Sequence, residues 1–422
     1  MSRTLWPDLA PLRTSAGFRL VFASRTVTAL GTLASDVAVL VQVKQLTGSP
    51  LAVGLLGVAE LVPLVLFGLY GGVLADRFDR RALMRWCEAG LAVCTVLLLV
   101  NSLLRRPAVW AIYLLVAVMV SLYSLQRPSL DASLPRLVPA EQLTAAASLQ
   151  SMSQNASFLL GSAFGGVLAV TPGPWLVYAM EAGGYVISFG LLSRLAPLPS
   201  LSSSPLSLSS PAGSVLGDLF GGLRYALGRR DLIGSYLADL AAMTFAYPNA
   251  MFPFLAVRLH ASWSTGLMFA APSLGALVVT VLSGWMERVR RHGLAIALAA
   301  AAYGAAIALL GLAPSLTVAL GALVLAGAAD MVSGIFRSTL WNQTIPDQLR
   351  GRLAGVELLS YGIGPPTGQL RSGLVASLAG VRVSLTSGGL GCVGFVALVC
   401  IGLPAFARYR APDVTEAASA SA

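Results

Sequence analysis

The chain has 422 residues, 56% of them hydrophobic and 11% charged, with a formal net charge of +10 and a mean hydropathy of +0.78. Soluble domains carry about 25% charged residues, so this composition excludes a soluble enzyme and a nucleic-acid-binding domain. It reads as a multi-pass membrane protein.

Phe18–Leu46 is the first apolar run. Residues 1–17 before it are polar and interrupted by proline, which does not fit a cleavable signal. A membrane span needs roughly 20 apolar residues, and further runs of that kind follow at Leu51–Ala75, Ala82–Leu104, Ala108–Leu125, Leu143–Ala169 and Trp175–Ser193. Residues 194–214 break the pattern: they are rich in Ser, Pro and Leu, uncharged after Arg194, and read as a flexible linker. Val215–Arg230 sets Leu216, Leu219, Phe220, Leu223 and Leu227 at helical spacing beside Arg224, Arg229 and Arg230, the pattern of an amphipathic helix lying on a membrane surface. Six more runs follow: Leu232–Val257, Ser264–Trp285, Leu294–Leu312, Leu316–Phe336, Leu353–Leu378 and Ser384–Ala407. The expected organisation is an all-α integral membrane protein of 12 transmembrane helices. Two pseudo-symmetric six-helix halves, 1–193 and 231–422, are joined by the segment 194–230.

Only Lys44 is a lysine, so the basic residues are almost all arginine, gathered between the apolar runs. With both termini placed in the cytoplasm, the cytoplasmic segments hold 21 of the 28 basic residues. Six lie on the other side (Lys44, Arg105, Arg106, Arg258, Arg371 and Arg382), and Arg25 lies inside the first span. That bias follows the positive-inside rule. The four cysteines fall in apolar runs and read as packing residues, with no metal spacing.

The halves echo each other. Arg127-Pro128-Ser129-Leu130 ends the fourth span and Arg337-Ser338-Thr339-Leu340 the tenth. Gly161-Ser162-Ala163-Phe164-Gly165-Gly166 lies in the fifth and Gly364-Pro365-Pro366-Thr367-Gly368 in the eleventh. Corresponding features in corresponding spans point to parallel repeats, an architecture of secondary transporters.

Between spans two and three stands Gly72-x-x-x-Asp76-Arg77-x-Asp79-Arg80-Arg81. This resembles the signature of the major facilitator superfamily, with Asp79 in place of its second glycine. Gly161-x-x-x-Gly165-Gly166 resembles the antiporter motif of drug exporters, and Gly364-Pro365-x-x-Gly368 is similar to its counterpart in the second half. Thr47-Gly48-Ser49-Pro50, Leu134-Pro135-x-Leu137-Val138-Pro139-x-Glu141-x-Leu143 and Pro346-x-x-Leu349-Arg350-Gly351-Arg352 look like the subgroup of siderophore exporters and macrolide efflux proteins. The resemblance implies proton-driven export of small amphipathic molecules, drugs or siderophores, from the cytoplasm across the inner membrane. It also implies a latch in which Gly72, Asp76, Arg77, Arg80 and Arg81 meet the inner end of span eleven near Pro346–Arg352.

A charge at mid-bilayer costs about 2.5–3.5 kcal/mol on insertion scales, so acids inside spans are functional candidates by default. Asp36, Glu60, Asp239 and Asp330 are such acids. Glu181 lies within span six, and Glu88 and Glu357 lie close enough to inner ends to reach headgroups. In the resembled family spans one, four, seven and ten line the cavity, which ranks Asp36, Asp239 and Asp330 above Glu60 as proton or substrate sites. Arg25 shares a helical face with Asp36, and Arg337 with Asp330, so each is a candidate counter-ion. Met243, Phe245, Tyr247 and Asn249 suit a broad apolar cavity wall, or equally helix packing around Pro248 and Pro253. The glycines of both motifs read as packing or hinge points.

No phosphate-binding loop occurs, and the two histidines, His260 and His292, fall in loops, so no cofactor, metal or ATP is implied. The partners are then protons, a small-molecule substrate and the bilayer, for a chain expected to act as a monomer. A facilitator or importer of a metabolite or sugar is the alternative, and would set more Asn, Gln and Trp in its spans. A polytopic lipid-modifying enzyme is more remote, since no His, Asp or Ser cluster supports one.

Overall fold

The computed structural model describes residues 8–77, 79–196, 224–225, 228–345 and 350–410, without the side chains of 68–77, 80, 131–132, 287 and 350–361. The linker and most of the expected amphipathic helix therefore lie outside the described residues. Apart from short 3-10 turns, the described regular structure is α-helical. The helices are α1 (Ala10–Thr14), α2 (Ala16–Thr47), α3 (Pro50–Arg77), α4 (Arg80–Leu103), α5 (Val109–Leu137), α6 (Leu143–Val170) and α7 (Pro174–Ser193). Then come α8 (Arg230–Ala246), α9 (Phe252–Arg258), α10 (Thr265–Val281), α11 (His292–Leu312), α12 (Leu316–Thr344), α13 (Arg350–Gly402) and α14 (Pro404–Ala407). Among the described residues, ten stretches are helical, long and apolar enough to cross a membrane. The 28-residue α6 is not among them: its first half carries Ser148, Gln150, Ser151, Ser153, Gln154 and Asn155.

Local chemistry sets the helix ends. Ser15 caps α2 by accepting the Phe18 amide at 3.1 Å. Gly48 ends α2 in the left-handed region at φ 61°, its amide on the Lys44 carbonyl at 2.8 Å, and Pro50 opens α3. Asp79, which replaces the expected glycine of the signature, caps α4 by accepting the Ala82 amide at 2.8 Å.

Several spans depart from expectation, the tenth by running on to Thr344. The fourth runs on to Leu137, through Pro128 and Pro135; prolines are tolerated within membrane helices where neighbours satisfy the backbone, and the buried Ser133 hydroxyl donates to the Leu130 carbonyl at 2.7 Å. The seventh is broken. α8 stops at Ala246, before Pro248, which has no amide to donate, and a 3-10 turn over Asn249–Met251 leads into α9. The last two spans are the arms of α13, bent at Gly380, whose φ of 89° and ψ of 161° only glycine adopts readily.

The chain divides into two compact units, residues 1–212 with 256–270, and residues 213–255 with 271–422. Ala256–Ala270, expected in the second half, thus groups with the first unit. In that unit α2 packs on α6 and α7, α4 on α5 and α7, and α3 on α5. In the other, α8 packs on α13 and α11, and α11 on α12 and α13.

Small residues make the closest approaches. A Cβ on Gly161 would lie 2.8 Å from the Leu30 carbonyl, and one on Gly165 would collide with the Ala34 backbone, so α6 lies directly on α2. Gly166 faces the backbone of Gly266. In the second unit Gly364 meets the Met243 side chain and Gly368 its carbonyl, pressing α13 onto α8. We expect Gly165→Leu to lower unfolding stability in detergent by about 1–3 kcal/mol through overpacking. Gly190→Ala, whose added Cβ would meet nothing within 4 Å, should change it by less than about 0.5 kcal/mol. Equal melting midpoints for the two variants would refute this packing.

Candidate functional site

In the first unit the chemistry centres on α2. Val37–Val43 is buried, yet Asp36 at its head is exposed, so its carboxylate stands at the helix surface in an otherwise apolar stretch. On the neighbouring α7, Glu181 is 1% exposed among the hydroxyls of Thr32, Ser35, Thr95 and Tyr185. Thr95 donates to it at 3.4 Å, and the Thr32 and Tyr185 hydroxyls are 2.9 Å apart. Gly31 makes room for it: a Cβ there would touch Glu181 at 3.2 Å. Asp36 lies within electrostatic range of Glu181, so two carboxylates from α2 and α7 share one region.

Arg25 reaches a different partner from the one its helical face suggests. Its guanidinium donates to Gln150 of α6 at 3.3 Å. Eleven residues at 1.5 Å per residue separate it from Asp36 by about 16 Å along the axis, too far for an ion pair. Glu60 is half-buried on α3. Glu88, expected to reach headgroups, is instead 3% exposed and accepts the Gln126 amide of α5 at 2.9 Å.

In the second unit Asp239 of α8 forms an ion pair with Arg337 of α12, both essentially buried. This corrects the expected pairing of Arg337 with Asp330: seven residues on one helix share a face, but α8 brings a closer carboxylate. Trp341 fastens the same helices, donating to Ser235 at 2.9 Å and stacking on Tyr236 at 4.9 Å. Asp330 is half-buried on α12.

The broken span seven leaves carbonyls that a continuous helix would have used. The Phe245 carbonyl accepts Arg371 at 2.5 Å, and the Ala246 carbonyl accepts the Tyr303 hydroxyl at 3.5 Å. Arg371 also donates to the Ser384 carbonyl and Ser387 hydroxyl, each at 3.0 Å, tying the two arms of α13 together. Gly388 leaves the slot that its guanidinium occupies. Charge counting assigns Arg371 to the outer side although it falls within the expected span Leu353–Leu378; here the half-buried guanidinium answers the helix-end carbonyl of Phe245.

The expected cavity wall is largely packing. Met243 and Tyr247 receive the glycines of α13, Phe245 tilts against Phe395 at 5.6 Å, and Asn249 donates to the Tyr247 hydroxyl at 2.7 Å. Pro365 lies inside α13, one residue past Gly364. Of the expected latch, the side chains of Gly72, Asp76, Arg77 and Arg80 and the start of span eleven lie outside the described residues. Arg81 is described: it donates to the carbonyls of Leu192 and Ser193, at 3.4 and 2.5 Å, capping the end of α7.

Residues 7–420 match the family described as transmembrane secretion effector. The chain belongs to this branch of the major facilitator superfamily. It is 31% identical over 422 residues to the enterobactin exporter of Citrobacter koseri, covering 98% of each chain. It is 30% identical to the enterobactin exporter of Salmonella choleraesuis, covering 99% of this chain and all of the relative. Among solved structures, the nucleoside transporter NupG superposes with a TM-score of 0.71 at 14% identity, covering 93% of this chain and 98% of that one. That likeness speaks for the fold alone. The protein is a multi-pass membrane transporter of small molecules, not an enzyme.

Glu181 and Arg371 carry structure that sequence reasoning did not rank. The signal for Glu181 was present: Tyr178 and Tyr185, three before and four after it, lay a polar stripe along an apolar helix. Breaking a buried pair by removing one partner costs about 3–5 kcal/mol, because a charge is left uncompensated. Asp239→Leu and Arg337→Met should therefore each lower the melting temperature and the monodisperse yield, while the double variant recovers most of the loss. A double variant worse than either single one would refute a balanced pair.

Proposed function

We propose that this protein exports a siderophore-like small molecule across the cytoplasmic membrane in exchange for protons, as a monomer of two six-helix halves with both termini in the cytoplasm. The chain-long similarity to enterobactin exporters supports the cargo class and the direction. The parallel packing schemes of the two units, with a glycine pair seated on the first helix of each, support repeats that work by alternating access.

The single observation that carries the coupling is Asp36. A carboxylate at the surface of a membrane-length helix, near a second carboxylate at Glu181, is costly, and such a cost points to a part in transport. Protonation removes that cost, so taking up and releasing a proton is the cheapest way for Asp36 to change between states. A cargo group bound beside Asp36 would compete with that proton, which is the basis of exchange. Glu181, walled in by hydroxyls, sits where it can set how readily Asp36 loses its proton. Arg337–Asp239 and Arg371 serve the second unit as structural braces in this reading.

The test is uptake of enterobactin into inverted vesicles with an imposed inward-acid pH gradient. Wild type should accumulate it at least tenfold above vesicles lacking the protein, and dissipating the gradient should abolish the excess. Asp36→Asn, at equal membrane abundance, should lose gradient-driven accumulation while Glu60→Gln keeps most of it. Accumulation by Asp36→Asn equal to wild type would overturn the role of Asp36. Wild-type accumulation indifferent to pH would overturn proton exchange.

A further inference from the structure

Between α11 and α12 of the second unit, at the turn that precedes α11, lies an open groove of about 580 Å³. Its walls are apolar: Leu294, Leu298 and Ala302 of α11 on one side, Ala329, Val332 and Phe336 of α12 on the other. Leu294, Leu298 and Ala302 recur at four-residue spacing and are exposed, Leu298 by 62%. The groove therefore runs along the span rather than across it. One end is of different chemistry: Arg290 and Arg291 line it, and Arg288 is exposed beside them on the same turn. Trp285 closes that end, 47% exposed, with its ring 6.4 Å from Phe336.

An apolar channel one helix-side long, with guanidinium groups at its mouth and an indole at the same level, matches a single kind of molecule. A free anion would use the arginines and leave the channel empty, and a neutral lipid would use the channel and ignore the arginines. Tryptophan settles at the headgroup level of a bilayer, which places the mouth at that depth. Basic pockets between transmembrane helices are suited to anionic headgroups, and arginine forks match phosphate oxygens two at a time. We propose that this groove is a binding site for an anionic phospholipid of the bilayer, phosphate on Arg290 and Arg291 and one acyl chain along Leu294, Leu298 and Ala302. The proposal rests on the membrane placement of the chain and not on its cargo, so it stands or falls separately from the transport reading.

The site also explains a difference between the halves. The turn Glu287–Arg291 occupies the place in the second half that the signature turn occupies in the first, but it lacks the signature's Gly-x-x-x-Asp pattern. Two of its arginines, Arg290 and Arg291, instead stand at the mouth of the groove.

Native mass spectrometry of the full chain released from mixed micelles tests this, with dioleoyl phosphatidylglycerol and dioleoyl phosphatidylcholine as the probes. Wild type should retain phosphatidylglycerol at least fivefold more than phosphatidylcholine. Arg290→Gln/Arg291→Gln should bring that ratio close to one. Arg105→Gln/Arg106→Gln, the same charge loss at an exposed turn of the first unit, should leave it unchanged. Ala302→Trp, which fills the channel and keeps the charge, should lower retention of phosphatidylglycerol at least threefold. Equal retention by wild type and Arg290→Gln/Arg291→Gln would overturn the proposal, as would an equal loss in the Arg105→Gln/Arg106→Gln control. Displacement of the lipid by millimolar inorganic phosphate would show a bare anion site and overturn the acyl-chain assignment. A dimer that excludes lipid in the same spectra would assign the groove to a second copy instead.

Discussion

Hydrocarbon offers no water to a stranded polar group, and most of what is specific in this structure follows from that constraint. Where a helix breaks at Tyr247 and Pro248, the Phe245 carbonyl is taken by a guanidinium and the Ala246 carbonyl by a phenol. Where α8 carries an acid, α12 brings an arginine. Where α7 carries an acid, hydroxyls from α2 and α4 line up around it. Asp36 departs from this rule in being a carboxylate at a helix surface, which is why it, rather than the better-buried acids, carries the coupling in our reading.

Without a hydrophobic driving force between helices in lipid, close contact must come from small side chains. The two glycine motifs do equivalent work in their own units, one seating α6 on α2 and the other seating α13 on α8. They thereby bring two backbones within reach of each other's carbonyls. Their value lies in an absence of atoms, so even a single added methyl at Gly165 meets backbone rather than a yielding side chain.

Much of this was legible in the sequence, because apolar runs, turn residues and charge bias are local signals. The spans were placed to within a few residues in most cases, and Gly48, Asp79 and Ser15 act at the ends where such residues act generally. The extension of α5 was hidden because Pro128 and Pro135 signal a stop unless neighbours satisfy the backbone. The partners of charged groups were also hidden. Helical spacing pointed Arg337 to Asp330 and Arg25 to Asp36, since a sequence shows only neighbours on the same helix. The structure joins Arg337 to α8 and Arg25 to α6. The role of Arg371 is hidden for the same reason: the helix-end carbonyl it answers lies 126 residues away.

The three-way grip of Arg371 has a mechanical meaning. One planar group fastens the broken end of α8 to both arms of α13, with Gly388 shaped to admit it. A proline-broken span is commonly imagined as a joint that flexes during a transport cycle. Here the α8 side of the break is clamped to two other helix segments. Parting α8 from α13 would cost the bond to the Phe245 carbonyl, while the bonds to Ser384 and Ser387 hold the two arms of α13 to each other.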